Sequence, residues 1–136
     1  MAETLNELVG RARDVQARAY APYSGFRVGA VLETGNGAIY SGCNVENASF
    51  AMTMCAERVA IGTAVAAGDR EFTRLVLVTD ADAPASPCGA CRQVISEFAP
   101  DLEIISVAPD GAQARWQASA LLPARFDLQP SPGTSA

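Results

Sequence analysis

The run Leu75-Val76-Leu77-Val78-Thr79 carries no polar side chain before its last position. Successive strand residues point to opposite faces, so such a strand must be covered on both sides. Its neighbours in sequence supply helical cover. Met52 to Ala67 is Ala-rich, lacks proline and stops at Gly68, the pattern of a buried helix. Cys88 to Phe98 sets Val94, Ile95 and Phe98 along a further helix.

The chain opens with Leu5, Leu8, Val9, Ala12, Val15 and Ala19 at spacings of three and four, a helical stripe capped by Thr4 and expected to stop at Pro22. Phe26 to Leu32 and Ala38 to Gly42 flank Thr34-Gly35-Asn36-Gly37, whose Asn-Gly step predicts an antiparallel hairpin. Leu102 to Val107 reads as a strand, Pro109-Asp110-Gly111 as a turn, and Ser119 to Leu122 as a short helix. The order helix, hairpin, helix, strand, helix, strand implies one α/β domain, a mixed sheet with helices on it. Residues 129–136 hold two prolines, a glycine and small groups with nothing to bury, and are expected to be a disordered tail after a domain at 1–128.

All ten basic residues are arginine, there is no histidine, and the formal net charge is −5. The missing lysine excludes Schiff-base chemistry and a phosphate-binding P-loop. The missing histidine excludes Ser-His and Cys-His pairs and every His-containing metal site. With no basic run, a nucleic acid polymer is a poor partner. No apolar stretch is long enough to cross a bilayer, and the first ten residues do not resemble a secretory signal, so a cytoplasmic location is expected. Charged residues make up only 18% of the chain, against about 25% in a typical domain, which points to surface covered by other subunits.

In the cytosol, spaced cysteines more often bind metal or react than form disulfides. Cys88-Gly89-Ala90-Cys91 opens one expected helix and Cys55 the other, and helix N-termini favour thiolates. Taken alone, the cysteines also permit a redox dithiol, or a structural zinc site using all four with Cys43. Cys55-Ala56-Glu57 adds a carboxylate beside the first ligand. A zinc site with three protein ligands keeps an open position and lowers the pKa of its water, and Glu57 could then move the proton. Residues i and i+2 do not share a face within a regular helix, so this requires Cys55 in the first turn and the metal near the end of that helix.

Cys55-Ala56-Glu57-Arg58 with Ser86-Pro87-Cys88-Gly89-Ala90-Cys91-Arg92-Gln93 resembles the zinc signature of the cytidine/deoxycytidylate deaminase family, in its small homotetrameric form with three cysteine ligands. Two further stretches agree, Pro22-Tyr23-Ser24-Gly25-Phe26-Arg27-Val28-Gly29-Ala30 and Cys43-Asn44-Val45-Glu46-Asn47-Ala48, so the likeness runs from about Leu5 to Phe126. It implies a three-layer α/β/α cytidine deaminase-like fold with a mixed five-stranded sheet. It also implies hydrolytic deamination of cytidine and 2′-deoxycytidine, one Zn²⁺ per subunit on Cys55, Cys88 and Cys91, and Glu57 as proton shuttle.

The resemblance further implies that Asn44 and Glu46 bind the ribose 3′-hydroxyl and that Phe26 packs near sugar and base. Ala56 would offer its N–H to the base O2, and the Ser86 carbonyl would receive the leaving amino group. Phe126 would reach a neighbouring subunit's pocket, with Phe50 also at a subunit contact. Without the resemblance, Asn44 and Glu46 read as a polar loop and Phe126 as a plug in the core. Three thiolates leave the cluster at −1, and the resemblance assigns Arg58 to hydrogen-bond the sulfurs and draw off charge. Arg92 reads either as a second such donor or as a solvated helix residue, and Cys43 as a small buried side chain. Phe50-Ala51-Met52-Thr53-Met54 departs from the family pattern at the pocket rim. Blasticidin deaminases share the metal motifs, but Asn44-Val45-Glu46-Asn47 favours a ribonucleoside site.

Overall fold

The computed structural model describes residues 3–128. Helix α1 spans Leu5–Gln16, strands β1 and β2 Val28–Thr34 and Ile39–Cys43, helix α2 Ala56–Ala66, and strand β3 Phe72–Thr79. Helix α3 spans Gly89–Phe98, strands β4 and β5 Glu103–Val107 and Gln113–Gln117, and helix α4 Ala118–Leu121. The sheet order is β2-β1-β3-β4-β5, with β3 and β4 parallel and all other pairs antiparallel. The five-stranded mixed sheet is therefore as expected.

Alternation along the central strands builds the layers. Val31, Val76, Val78 and Ile105 meet Leu8 and Ala12 of α1 on one face. Leu32, Leu75, Leu77 and Ile104 meet Ala60, Ile61 and Ile95 of α2 and α3 on the other. Thr4 caps α1 by accepting from Glu7 N at 3.2 Å. The hairpin forms with Gly37 at φ +86°, a left-handed conformation that suits glycine.

Among the departures from the sequence expectations are three boundaries and a strand that the pattern of residues did not mark. Helix α1 ends at Gln16, well before Pro22, and buries Gln16 while Val15 and Ala19 are only partly covered. Strand β1 begins at Val28, since Phe26 belongs to the preceding loop. Helix α2 begins at Ala56, not Met52, because Phe50–Met52 form a 3₁₀ turn and Met54 bridges to Val45. Strand β5 carries no apolar run, and only Ala114 and Trp116 are partly buried along it. The tail expected at 129–136 lies outside the described residues.

Helix α2 lies directly on β2. A Cβ at Gly42 would stand 2.5 Å from both Ala56 O and Ala60 N, so no side chain fits there. Gly42→Ala must displace the start of α2, and is expected to cost about 1–3 kcal/mol by overpacking. A lowered urea midpoint with an unchanged slope checks this.

Candidate functional site

Two helix starts meet on one face of the sheet. Cys55 is the N-cap of α2 and Cys88 the N-cap of α3, both in extended backbone, and neither sulfur caps its own helix. Cys91 lies in the first turn of α3 and is fully buried. The three Sγ atoms lie within 4.8 Å of one another, with Cys55 and Cys88 at 3.8 Å. Zn–S bonds of about 2.3 Å in a tetrahedron place sulfurs roughly 3.8 Å apart, so the donor set fits one zinc ion in both chemistry and spacing. Among the described residues Cys43 is not part of the cluster, which removes the four-cysteine alternative. Cys43 is also only partly buried, at the end of an edge strand.

The hydrogen bond with Cys91, aided by Arg58, holds the Cys55 thiol down to about 5. The same pairing, together with burial, pushes the Cys91 thiol up. Metal entry must therefore release protons from the cluster. Arg58 Nη2 lies 3.4 Å from Cys55 Sγ and donates to Thr53 O at 3.2 Å, while its buried Nε has no partner. Of the sulfurs that the resemblance assigned to Arg58, the structure places that of Cys55 against its guanidinium.

A cavity of about 330 Å³ opens onto the cluster, and Cys55, Cys88 and Glu57 line it. Glu57 is 5% exposed, and burial pushes its carboxyl up to about 7. Cys55 stands one place before the helix rather than in its first turn, and Glu57, in that first turn, lines the cavity with it.

The expected substrate residues Phe26, Asn44, Glu46, Ala56 and Ser86 all line this cavity. Asn44 Oδ1 accepts from Val28 N at 2.9 Å, and its Nδ2 donates to Phe26 O at 2.8 Å. Glu46 accepts from Tyr23 N at 3.0 Å, Ser24 N at 3.2 Å and Ser24 Oγ at 2.5 Å. The Ser24 hydroxyl, with the two N–H donors, holds the Glu46 carboxyl below the usual carboxylate range. Asn44 and Glu46 thus brace the loop carrying Phe26, and each keeps a lone pair or N–H to offer.

Phe126 is 71% exposed and does not line its own chain's cavity, so it is no core plug. Phe50 is 60% exposed and stands at the cavity rim. Arg92 is not a free surface residue, since all three of its guanidinium nitrogens donate to main-chain or hydroxyl oxygens. Sequence reasoning missed Ser24 and Thr79 as cavity residues. Thr79 was findable as the one polar residue ending an apolar strand, where α/β sheets place their sites.

Residues 2–106 match the family described as the cytidine and deoxycytidylate deaminase zinc-binding region. The chain belongs to this family. A cytidine deaminase of Sporosarcina psychrophila is 50% identical over 94 residues, covering 69% of each chain. A probable cytidine deaminase of Dictyostelium discoideum is 42% identical over 128 residues, covering 93% of this chain and 86% of the relative. The crystal structure of a cytidine deaminase from Burkholderia pseudomallei superposes with a TM-score of 0.89 at 44% identity, covering 91% of this chain and all of that one. Membership in the deaminase family gives the three-cysteine cluster its metal, one zinc ion.

Proposed function

We propose that this chain deaminates cytidine and 2′-deoxycytidine to uridine and 2′-deoxyuridine, releasing ammonia in pyrimidine salvage, with residues 1–128 as its one catalytic domain. The observation that carries the reading is a buried carboxyl, Glu57, sharing a cavity with Cys55 and Cys88 of the sulfur cluster. Cys55, Cys88 and Cys91 are the metal ligands. Zinc on these thiolates supplies Lewis acidity that brings the pKa of a water toward neutrality.

Cytosine C4 is a weak electrophile because the ring nitrogens and the amino group donate into it. Glu57 takes a proton from the attacking water and delivers it to N3, so the water's oxygen can bond to C4. The same carboxyl then carries the second proton to the amino group, which leaves as ammonia past the Ser86 carbonyl. Burial favours the neutral form of this carboxyl, the form that must hold the proton between the two transfers. The Ala56 N–H holds O2, Phe26 packs on sugar and base, and Asn44 and Glu46 take the 3′-hydroxyl.

Arg58 weakens electron donation from Cys55 through its 3.4 Å contact. Arg58→Gln is expected to keep zinc at parental stoichiometry while turnover falls by about tenfold or more. Unchanged turnover in that variant contradicts the role.

Exposed Phe50 at the cavity, exposed Tyr20, Met52 and Met54, and an exposed Phe126 that does not line its own chain's cavity support a homotetramer whose sites are completed by neighbouring subunits. Phe126 would then stack on the pyrimidine of the next site. No described helix is long and apolar enough to cross a membrane, and the net charge of −5 disfavours polyanions, in keeping with a small-molecule enzyme of the cytoplasm.

The test is ammonia release by zinc-loaded protein from cytidine beside free cytosine. A site built to pair sugar hydroxyls is left with unpaired polar groups by the free base, and kcat/KM for cytosine should be lower by about 10³-fold or more. Equal rates remove Asn44 and Glu46 from substrate reading. No ammonia from cytidine removes the assignment.

A further inference from the structure

Arg92 immediately follows the last cysteine of the cluster, and its guanidinium joins two stretches of chain far apart in sequence. Nε donates to Pro87 O at 2.8 Å and Nη2 to Ser86 Oγ at 3.0 Å, both on the segment that leads into Cys88. Nη1 donates to Leu121 O at 3.1 Å, at the end of α4. From there the chain runs to Phe126, whose carbonyl accepts from Gln93 Nε2 at 3.0 Å, and Arg125 donates to Ser96 O on the way. Helix α3 is thus the mount for both the cavity wall at Ser86 and the C-terminal segment. A planar fork with five N–H donors can serve three acceptors at once, which an ammonium on a flexible stem cannot do in the same geometry.

We infer that Arg92 is a positioning residue: by tying Leu121 to the Ser86–Pro87 wall it sets where its own chain presents Phe126. The inference rests on the proposed role of Phe126 in a neighbouring site. It places the control of one site's aromatic cover on the metal-ligand helix of the adjacent subunit. Arg92 touches neither substrate nor the sulfur cluster, so its loss is read in substrate binding rather than in metal content.

The experiment compares zinc-loaded full-length parent, Arg92→Gln, Phe126→Ala and the double variant, with Arg92→Lys as a variant that keeps the charge. Zinc per chain, KM and kcat for cytidine, and amide hydrogen exchange over residues 118–127 are measured. Exchange is informative there because Ala118 N and Ser119 N are held at 2.9 Å by Leu102 O and Pro100 O. Arg92→Gln is expected to raise KM about tenfold with kcat changed less than about threefold, to keep its zinc, and to speed exchange over 118–127. In the Phe126→Ala background the KM effect should shrink to under about twofold, because coupled residues are not additive. Arg92→Lys should fall between parent and Arg92→Gln.

An equal KM penalty with and without Phe126 overturns the inference, as does zinc loss that parallels the loss of activity. Unchanged exchange over 118–127 also overturns it. If the parent makes no ammonia from cytidine, the substrate assignment fails on its own, and the exchange comparison still decides whether Arg92 fixes the C-terminal segment.

Discussion

Glu57→Ala is expected to retain one zinc per chain and to lose about 10²–10⁴-fold in cytidine turnover, the span usual for a positioned general acid–base. The carboxyl is buried in the cavity wall and is not one of the three clustered sulfurs, so its removal leaves the donor set complete. Every proton in the proposed reaction passes through this one group, and no histidine or lysine exists in the chain to replace it. Zinc analysis beside ammonia release at equal metal occupancy checks both halves of the expectation. Parental turnover in the variant would assign the proton transfers elsewhere. Loss of zinc together with turnover would make Glu57 part of the metal's hold.

The second large effect separates the cysteines. Cys91→Ala is expected to lose zinc and with it all measurable turnover, because Cys91 is the fully buried member of the cluster and, among the described residues, no further cysteine joins it. Cys43→Ala should bind zinc and turn over as the parent does, since Cys43 lies outside the cluster. Metal titration and activity on the two variants form one experiment. A structural zinc module using four cysteines would give metal loss from Cys43→Ala and indifference at Glu57, the reverse on both counts.

What was legible in advance followed from pattern and chemistry. The unbroken apolar run of β3 announced a strand covered on both faces, and the Asn-Gly step announced the hairpin. The clustering of Cys55, Cys88 and Cys91 beside Glu57 was expected from motifs that resemble the deaminase family, whereas the cysteines alone left a redox dithiol and a four-cysteine site open. Strand β5 was not legible: Gln113-Ala114-Arg115-Trp116-Gln117 pairs along one edge of the sheet and buries little, so its place is set by β4 rather than by its own composition. The start of α2 was hidden for a different reason. Alanine-rich sequence keeps helical character without marking a first turn, and Met54 is drawn out of helix by its bridge to Val45. The acceptors of Arg92 lie 5, 6 and 29 positions away, and periodicity carries no signal for such pairs.

The two helix starts that meet at the cysteines also bear on how the protein must be handled. With Cys55 and Cys88 sulfurs 3.8 Å apart and neither engaged in capping a helix, these thiols stand close to one another once the metal is gone. A chain stripped by a chelator in air presents neighbouring thiols to oxidants. Withdrawal of two electrons and two protons would join a pair as a disulfide and close the door to metal return. Stripping under reductant leaves the donors free to reload. The cofactor thus doubles as a guard on its own ligands, against an oxidation that folding stability alone does not prevent.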